Sequence, residues 1–303
     1  MNAMQAAFLW ACGLDVAVRK PGNVSFASGG HDMVAQQFLT SARVSAPALC
    51  EPGAAPGARL EAAVAATRAA VGCNTNLGIL LLAMPLVCAA ERAGERSCRS
   101  LRSALQGCLR ALDLADAAAA YRAIALANPG GLGAADEEDV SRPPTVGLRA
   151  AMALAADRDL IARQYAEDYR LVFEFGLDAF QAPVAATLAQ RVQAVYLAWL
   201  ATHPDSHLRR KFGDAVAEQV RCEAVPWQAR LARDPTAAKA ADFARWDASL
   251  KARGLNPGTS ADLTVCTLFV AALLQPSWID CGVDCRADGC GDGRGDDVWN
   301  DAC

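Results

Sequence analysis

The sequence predicts an all-α protein: a single multi-helix globular domain over residues 1–276, followed by a flexible Cys/Asp/Gly-rich tail over 277–303. Two observations carry that prediction. Alanine and leucine dominate while valine, isoleucine and threonine are thin, a balance that favours helix over sheet. Apolar residues recur at helical spacing almost everywhere, and strand-like alternation is almost absent. A chain of 303 residues is long enough to bury a real core in such a domain.

Taken in order, the periodicity places helices at Ala3–Val18, Asp32–Ser45, Ala58–Val71, Asn76–Ala93, Cys98–Leu112 and Asp113–Leu126 in the first half. In the third of these, Leu60, Val64, Thr67 and Val71 form an apolar stripe, with Arg59, Glu61 and Arg68 largely opposite. The fourth carries "LGILLLAMPLVCAA", Leu77 to Ala90, which is shorter than the roughly 20 residues a bilayer span takes and holds Pro85. It is expected to be a buried core helix. The second half gives Leu148–Phe175, Phe180–Ala201, Leu208–Cys222, Ala237–Ala252 and Ala261–Leu274. The long Gly/Pro-rich, acidic stretch Asn128 to Gly147 between the halves reads as a lid or binding loop, or equally as a solvated connector.

The net charge of −4 argues against a nucleic-acid binder, whose surface normally carries a basic excess. The first apolar run, "MQAAFLWACGL", has no Lys or Arg before it and runs into Asp15, unlike a signal peptide. A cytoplasmic protein that does not enter a membrane is expected, and the sequence leaves a homodimer open. Of twelve cysteines, eight lie in apolar helical contexts where Cys serves as a small hydrophobe. Cys281, Cys285, Cys290 and Cys303 fall in the tail at spacings that match no zinc pattern, so a redox-sensitive appendage is expected there rather than a metal site.

Four polar loops carry the chemistry. In "RKPGNVSFASGGHDM", Gly29 and Gly30 would let backbone approach a ligand, with His31 as donor or proton shuttle and Asp32 as base or metal ligand. A surface helix start would also explain that pair. "GCNTNLG" offers Asn74, Thr75 and Asn76 to a ribose or phosphate, or as an N-cap for the apolar helix that follows. "DSHLRRKFG" sets Arg209 and Arg210 in a basic run suited to bidentate phosphate contacts, or to plain solvation. In "GLNPGTSADL", Thr259 and Ser260 read as N-caps, and Asp262 in the first turn reads as a Mg2+ ligand, a proton acceptor or a partner of the helix dipole.

Taken together and in this order, the loops resemble the triphosphoribosyl-dephospho-CoA synthase family, the CitG-like proteins. The resemblance rests on "KPGNVSFASGGHDM" from Lys20, "GCNTNLG" from Gly72, "DSHLRRKFG" from Asp205 and "NPGTSADL" from Asn256, and it spans roughly residues 10–275. It implies transfer of the 5-triphosphoribosyl group of ATP to dephospho-CoA with release of adenine, so ATP and dephospho-CoA are the implied partners and Mg2+ the cofactor. Asp32, Asp262 and His31 are then the expected catalytic residues, with Asp32 and Asp262 also the expected Mg2+ ligands. Lys20, Gly22, Ser28, Gly29, Gly30, Asn74, Thr75, Asn76, Arg209, Arg210, Gly258 and Ser260 are expected to bind nucleotide and phosphates. The chain departs from the family where typical members carry His-Lys and it carries Asn76-Leu77. The Asp turn also departs, which marks a divergent subgroup. Two other readings stay open: an ATP-dependent enzyme of another cofactor pathway with a different acceptor, and a non-catalytic helical scaffold.

Overall fold

The computed structural model describes residues 1–133 and 135–280. Among them there are fourteen α-helices and no strand; the only β pairing consists of two isolated bridges in the loop after the first helix. The helices are α1 (Ala3–Ala17), α2 (Ala35–Leu49), α3 (Pro56–Val71), α4 (Leu77–Arg92), α5 (Cys98–Ala111), α6 (Leu114–Ala127) and α7 (Leu148–Ala153). Next come α8 (Leu160–Ala166), α9 (Leu177–Phe180), α10 (Leu188–Thr202), α11 (Ser206–Phe212), α12 (Asp214–Leu231), α13 (Ala241–Ala252) and α14 (Gly258–Leu274). The all-α expectation holds. The four tail cysteines lie outside the described residues.

Helices α4 and α14 are buried on nearly every side. They pack on each other and on α1, and the main core closes around them with α2, α3, α5 and α6. A second apolar cluster joins α10 to α12 and α13. Pro85 lies inside α4 and has no N–H for the carbonyl of Leu81, one turn back. The Tyr165 hydroxyl of α8 donates to that carbonyl at 2.6 Å, and Tyr169 donates to the next one, Leu82, at 3.0 Å. A helix interruption thus becomes the fastening between α4 and the segment after α7. No helix among the described residues is long and apolar enough to cross a membrane.

Three expected helices are divided. The run Leu148–Phe175 breaks because Asp159 turns its side chain onto the N–H groups of Ile161 and Ala162, starting α8 afresh. Asp168 and Tyr169 then take left-handed φ values of 52° and 56° before a π turn at Val172–Gly176. That turn brings Gly176 so close to α14 that a Cβ would lie 2.5 Å from Thr267 Oγ1. The run from Phe180 is broken at Pro183, and α10 starts at Leu188 behind a Thr187–Gln190 capping box. Gly213, at φ 89°, separates α11 from α12, which continues through Pro226 to Leu231. Arg59, expected on the solvent side of α3, is 2% exposed. It pairs with Glu91 of α4 at 2.7 Å and donates to the Ala54 carbonyl, which lets its long stem be buried.

Helix α14 begins three residues earlier than its sequence signals indicate, so Thr259 and Ser260 lie inside its first turn and are not its caps. The cap comes from elsewhere. Asp205, the N-cap of α11, accepts the His207 and Leu208 N–H groups on one carboxylate oxygen, and the Ser260 N–H (2.7 Å) and hydroxyl (2.8 Å) on the other. Its side chain is fully buried and ties the starts of α11 and α14 together. Asp205→Ala leaves the Leu208 and Ser260 N–H groups without their acceptor inside the protein, with only His207 keeping one, the Thr259 hydroxyl. It is expected to cost about 2–4 kcal/mol, read as a lower urea midpoint with an unchanged slope.

Candidate active site

A cavity of about 570 Å³ opens where α1, α4, α6, α7, α8, α11 and α14 converge. One side is polar. It takes Asp15 from the end of α1, Asn23 from the loop that follows, Asn74–Asn76 before α4, His207, Arg209 and Arg210 from α11, and Gly258 to Asp262 from α14. The other side is formed by α6, α7, α8 and residues 129–140 of the Asn128–Gly147 stretch, which is therefore a cavity-lining loop. That loop is fastened at both ends of the cavity. Tyr121 of α6 donates to Glu138 at 2.8 Å, and Arg210 donates to the Gly130 carbonyl at 3.2 Å.

Of the residues singled out in the sequence, Asn74, Thr75, Asn76, Arg209, Arg210, Gly258 and Asp262 share this wall. Asn74 caps α4 by accepting the Leu77 N–H, Thr75 is 2.5 Å from Ser41 Oγ, and Asn76 Nδ2 donates to Ser45. Arg209 is paired with Asp214, and Arg210 lies 3.5 Å from Asp159. Ser260 sits behind the wall, its polar atoms taken by Asp205.

The first loop is placed differently. The ammonium of Lys20 is fully buried, 2.9 Å from the Asp15 carboxylate and 2.7 Å from Asn23 Oδ1, and it does not line the cavity. Gly22, at φ 82°, donates its N–H to Asp247 of α13; a Cβ there would lie 2.8 Å from Pro257. Asp247 also holds Lys251, which donates to the Ser28 carbonyl, so one carboxylate of α13 anchors the whole turn. Ser28, Gly29 and Gly30 lie on that turn's outer side, where a Cβ on Gly30 would meet the stem of Lys251. His31 and Asp32 both have left-handed backbone, φ 56° and 60°; His31 Nε2 is 2.9 Å from the Gly22 carbonyl and Asp32 is exposed. None of Gly22, Ser28, Gly29, Gly30, His31 or Asp32 lines the cavity; from this loop Asn23 and Met33 do.

A second acid of this wall, whose charge acts on Asp262, is Asp15, which sequence reasoning met only as the end of an apolar run. Its one signal there is Lys20, five residues on. Burial raises the Asp15 pKa, and the neighbouring Lys20 works against that rise. Asp262 is pushed up further, by burial first and then by the charges of Asp15, Asp205 and Asp159, with Arg210 opposing. His207 is driven down to about 4 by burial and by Arg210, Lys211 and His31, so it is neutral at pH 7. The close packing of Asp262 depends on Gly78: a Cβ at that position would lie 2.0 Å from the Asp262 carboxylate oxygen. The wall therefore presents two carboxylates in unlike surroundings, neutral hydrogen-bonding amides, and arginines a short way along.

The sequence model of the CitG family, ATP:dephospho-CoA triphosphoribosyl transferase, matches residues 1–280. Among solved structures, a crystal structure from Archaeoglobus fulgidus aligns with a TM-score of 0.60 and 25% identity, covering 78% of this chain and 98% of that one; that protein carries a provisional description as a triphosphoribosyl-dephospho-CoA synthase. No curated protein matches the sequence.

Because its pKa is raised, folded Asp262 holds its proton to higher pH than it does in the unfolded chain, so its contribution to stability falls as pH rises above the ordinary Asp range. Asp262→Asn removes that liability. The variant is expected to melt a few degrees above the wild type at pH 7–8, with the gap closing towards pH 4, in thermal melts across that range.

Proposed function

This chain belongs to the CitG family of ATP:dephospho-CoA triphosphoribosyl transferases, and from that premise we propose how the residues of its cavity divide the work. The reaction moves the 5-triphosphoribosyl group of ATP to dephospho-CoA and releases adenine. The bond from the ribosyl anomeric carbon to the adenine nitrogen breaks, and a bond from that carbon to an acceptor ribose hydroxyl forms. The hydroxyl loses a proton, and the departing adenine takes one up.

Asp15 and Asp262, two acids of one wall close enough for the charge of one to act on the other, carry this reading. As the glycosidic bond breaks, positive charge develops on the ribosyl ring, and a carboxylate beside it stabilises the transition state. Asp15, whose ionised form Lys20 favours against the larger opposing effect of burial, takes that role. Asp262, with its raised pKa, is a stronger base than an ordinary carboxylate and accepts the acceptor's proton. The neutral imidazole of His207, with a pKa of about 4, is too weak a base for that step but can donate a hydrogen bond. Arg209 and Arg210 hold the triphosphate, and the Asn74–Asn76 amides and hydroxyl orient the ribose.

Mg2+ commonly takes one or two carboxylates and completes its shell with phosphate oxygens and water. On the side given to the phosphates, Asp159 is a further carboxylate that such an ion could take: one oxygen caps α8, and the other lies 3.5 Å from Arg210, which would have to yield it. There Mg2+ would neutralise triphosphate charge. Of the two carboxylates expected to hold it, Asp262 lines the cavity and Asp32 does not. A different acceptor is the second reading. The observation that favours it is the pair Asn76-Leu77, both buried, which offer no basic group where typical members carry His-Lys.

The test is chromatographic detection of adenine from ATP and Mg2+, with and without dephospho-CoA. Release is expected only with the acceptor present. Asp262→Asn is expected to lower kcat by about 10²-fold or more, whereas Asp32→Ala stays within a few-fold of wild type. Binding of ATP without acceptor-dependent release would move the reading to another acceptor, which a panel of nucleotide and pantetheine compounds would identify. Gly78→Ala, which displaces Asp262, is expected to cost about 10²-fold in kcat while the protein stays folded by circular dichroism.

A further inference from the structure

The two sides of the cavity differ in kind. Every charged or amide group assigned above to donor, phosphate or proton lies on the α1, α4, α8, α11 and α14 side. The side formed by α6, the loop, α7 and the inner face of α8 is largely aliphatic, with Ile124, Leu132, Val140, Met152, Leu154 and Ile161, and Arg158, which donates to the Leu154 carbonyl, at its edge. These elements pack in succession, α6 on α7 and α7 on α8, so the surface is continuous. Its rim is left uncovered, with Leu132 41% and Leu154 45% exposed. Large apolar side chains lining a cavity mouth while open to water mark a place where a ligand covers them. The loop above carries Glu137, Glu138 and Asp139, which would repel phosphate at this end.

We propose that this aliphatic side is the acceptor subsite and holds the uncharged, thiol-ended pantetheine arm of dephospho-CoA; the assignment rests on the family reaction set out above. Of the substrate parts without charge, the arm is long, with a gem-dimethyl carbon and methylene runs to pack on aliphatic side chains and two amides and a hydroxyl to meet the polar groups of the loop, whereas an adenine ring binds best against an aromatic face. This side has one aromatic residue, Tyr121, and its hydroxyl is already donated to Glu138 at 2.8 Å. The same bond pins the loop that carries Leu132 and Val140, so the subsite is formed before the acceptor arrives. The arm then lies along α7 with the nucleotide end of the acceptor directed to Asp262. Discrimination between this acceptor and a plain nucleotide comes from apolar contact at α7 and the loop.

Two variants at the rim test it: Ala155→Trp, which fills the aliphatic side, and Leu154→Asp, an exposed position where a charge is tolerated by the fold. Equilibrium binding of dephospho-CoA and of ATP is measured separately for wild type and both variants by calorimetry. Dephospho-CoA is expected to bind about tenfold more weakly or worse in each, with ATP affinity within twofold of wild type. Weakened ATP binding with dephospho-CoA affinity retained would place the donor's base here and overturn the proposal. So would unchanged affinity for both, or a wild type that does not bind dephospho-CoA. Adenine release by the wild type is scored on its own, so a failure of the family reaction appears in that assay and not in the binding contrast.

Discussion

The buried carboxylate of Asp205 accepts hydrogen bonds from the starts of two helices at once, and the cavity's polar wall depends on it. Each helix start leaves N–H groups that need a partner, and inside a protein water is not there to serve. Asp205 supplies both from one side chain, which sets α11 and α14 at a fixed distance and rotation. Arg209 and Arg210 come from one of these helices and Asp262 from the other. A rotation of either by a small angle would separate the groups assigned to phosphate from the group assigned to the proton.

Interior charge is the second constraint. A lysine with no exposure is stable only when paired, and Lys20 is met by Asp15, by the Asp15 carbonyl and by Asn23. That arrangement spends the lysine on holding Asp15, so the cation that a Lys-Pro-Gly sequence offers to a phosphate instead conditions a carboxylate. Asp247 plays the same part for the turn around Gly22 and Lys251. The outcome is a division by environment: Asp15 has its own counter-ion, Asp262 is crowded by other acids, and two residues of one type acquire different proton affinities. Family membership gives the reaction; the division of roles proposed for these carboxylates rests on their surroundings.

Strain follows the same economy. His31 and Asp32 have left-handed backbone without being glycine, a conformation that persists only where neighbours hold it. Here the Gly22 carbonyl holds His31, and Lys251 holds the Ser28 carbonyl. The strained pair directly precedes Met33, which lines the cavity, while Asn23 is held there by Lys20 and Asn256.

Helix content and the buried character of α4 follow from sequence, because periodicity is a local property read along the chain. That Asn74–Asn76, Arg209, Arg210, Gly258 and Asp262 belong together is implied only by the family resemblance of their loops taken in order. Even a helix boundary is local when a proline or a cap marks it, as at Leu188. What depended on tertiary structure is everything carried by partners distant in sequence. The cap of α14 comes from 55 residues away, at Asp205. The break after Ala153 is held by tyrosines on α4 carbonyls more than 80 residues back. Asp15 enters the wall, and Lys20 and Asp32 stay out of it, because burial and ion pairing are decided by which helices meet. A carboxylate's neighbours in space, and hence its charge and its chemistry, are not written in its neighbours along the chain.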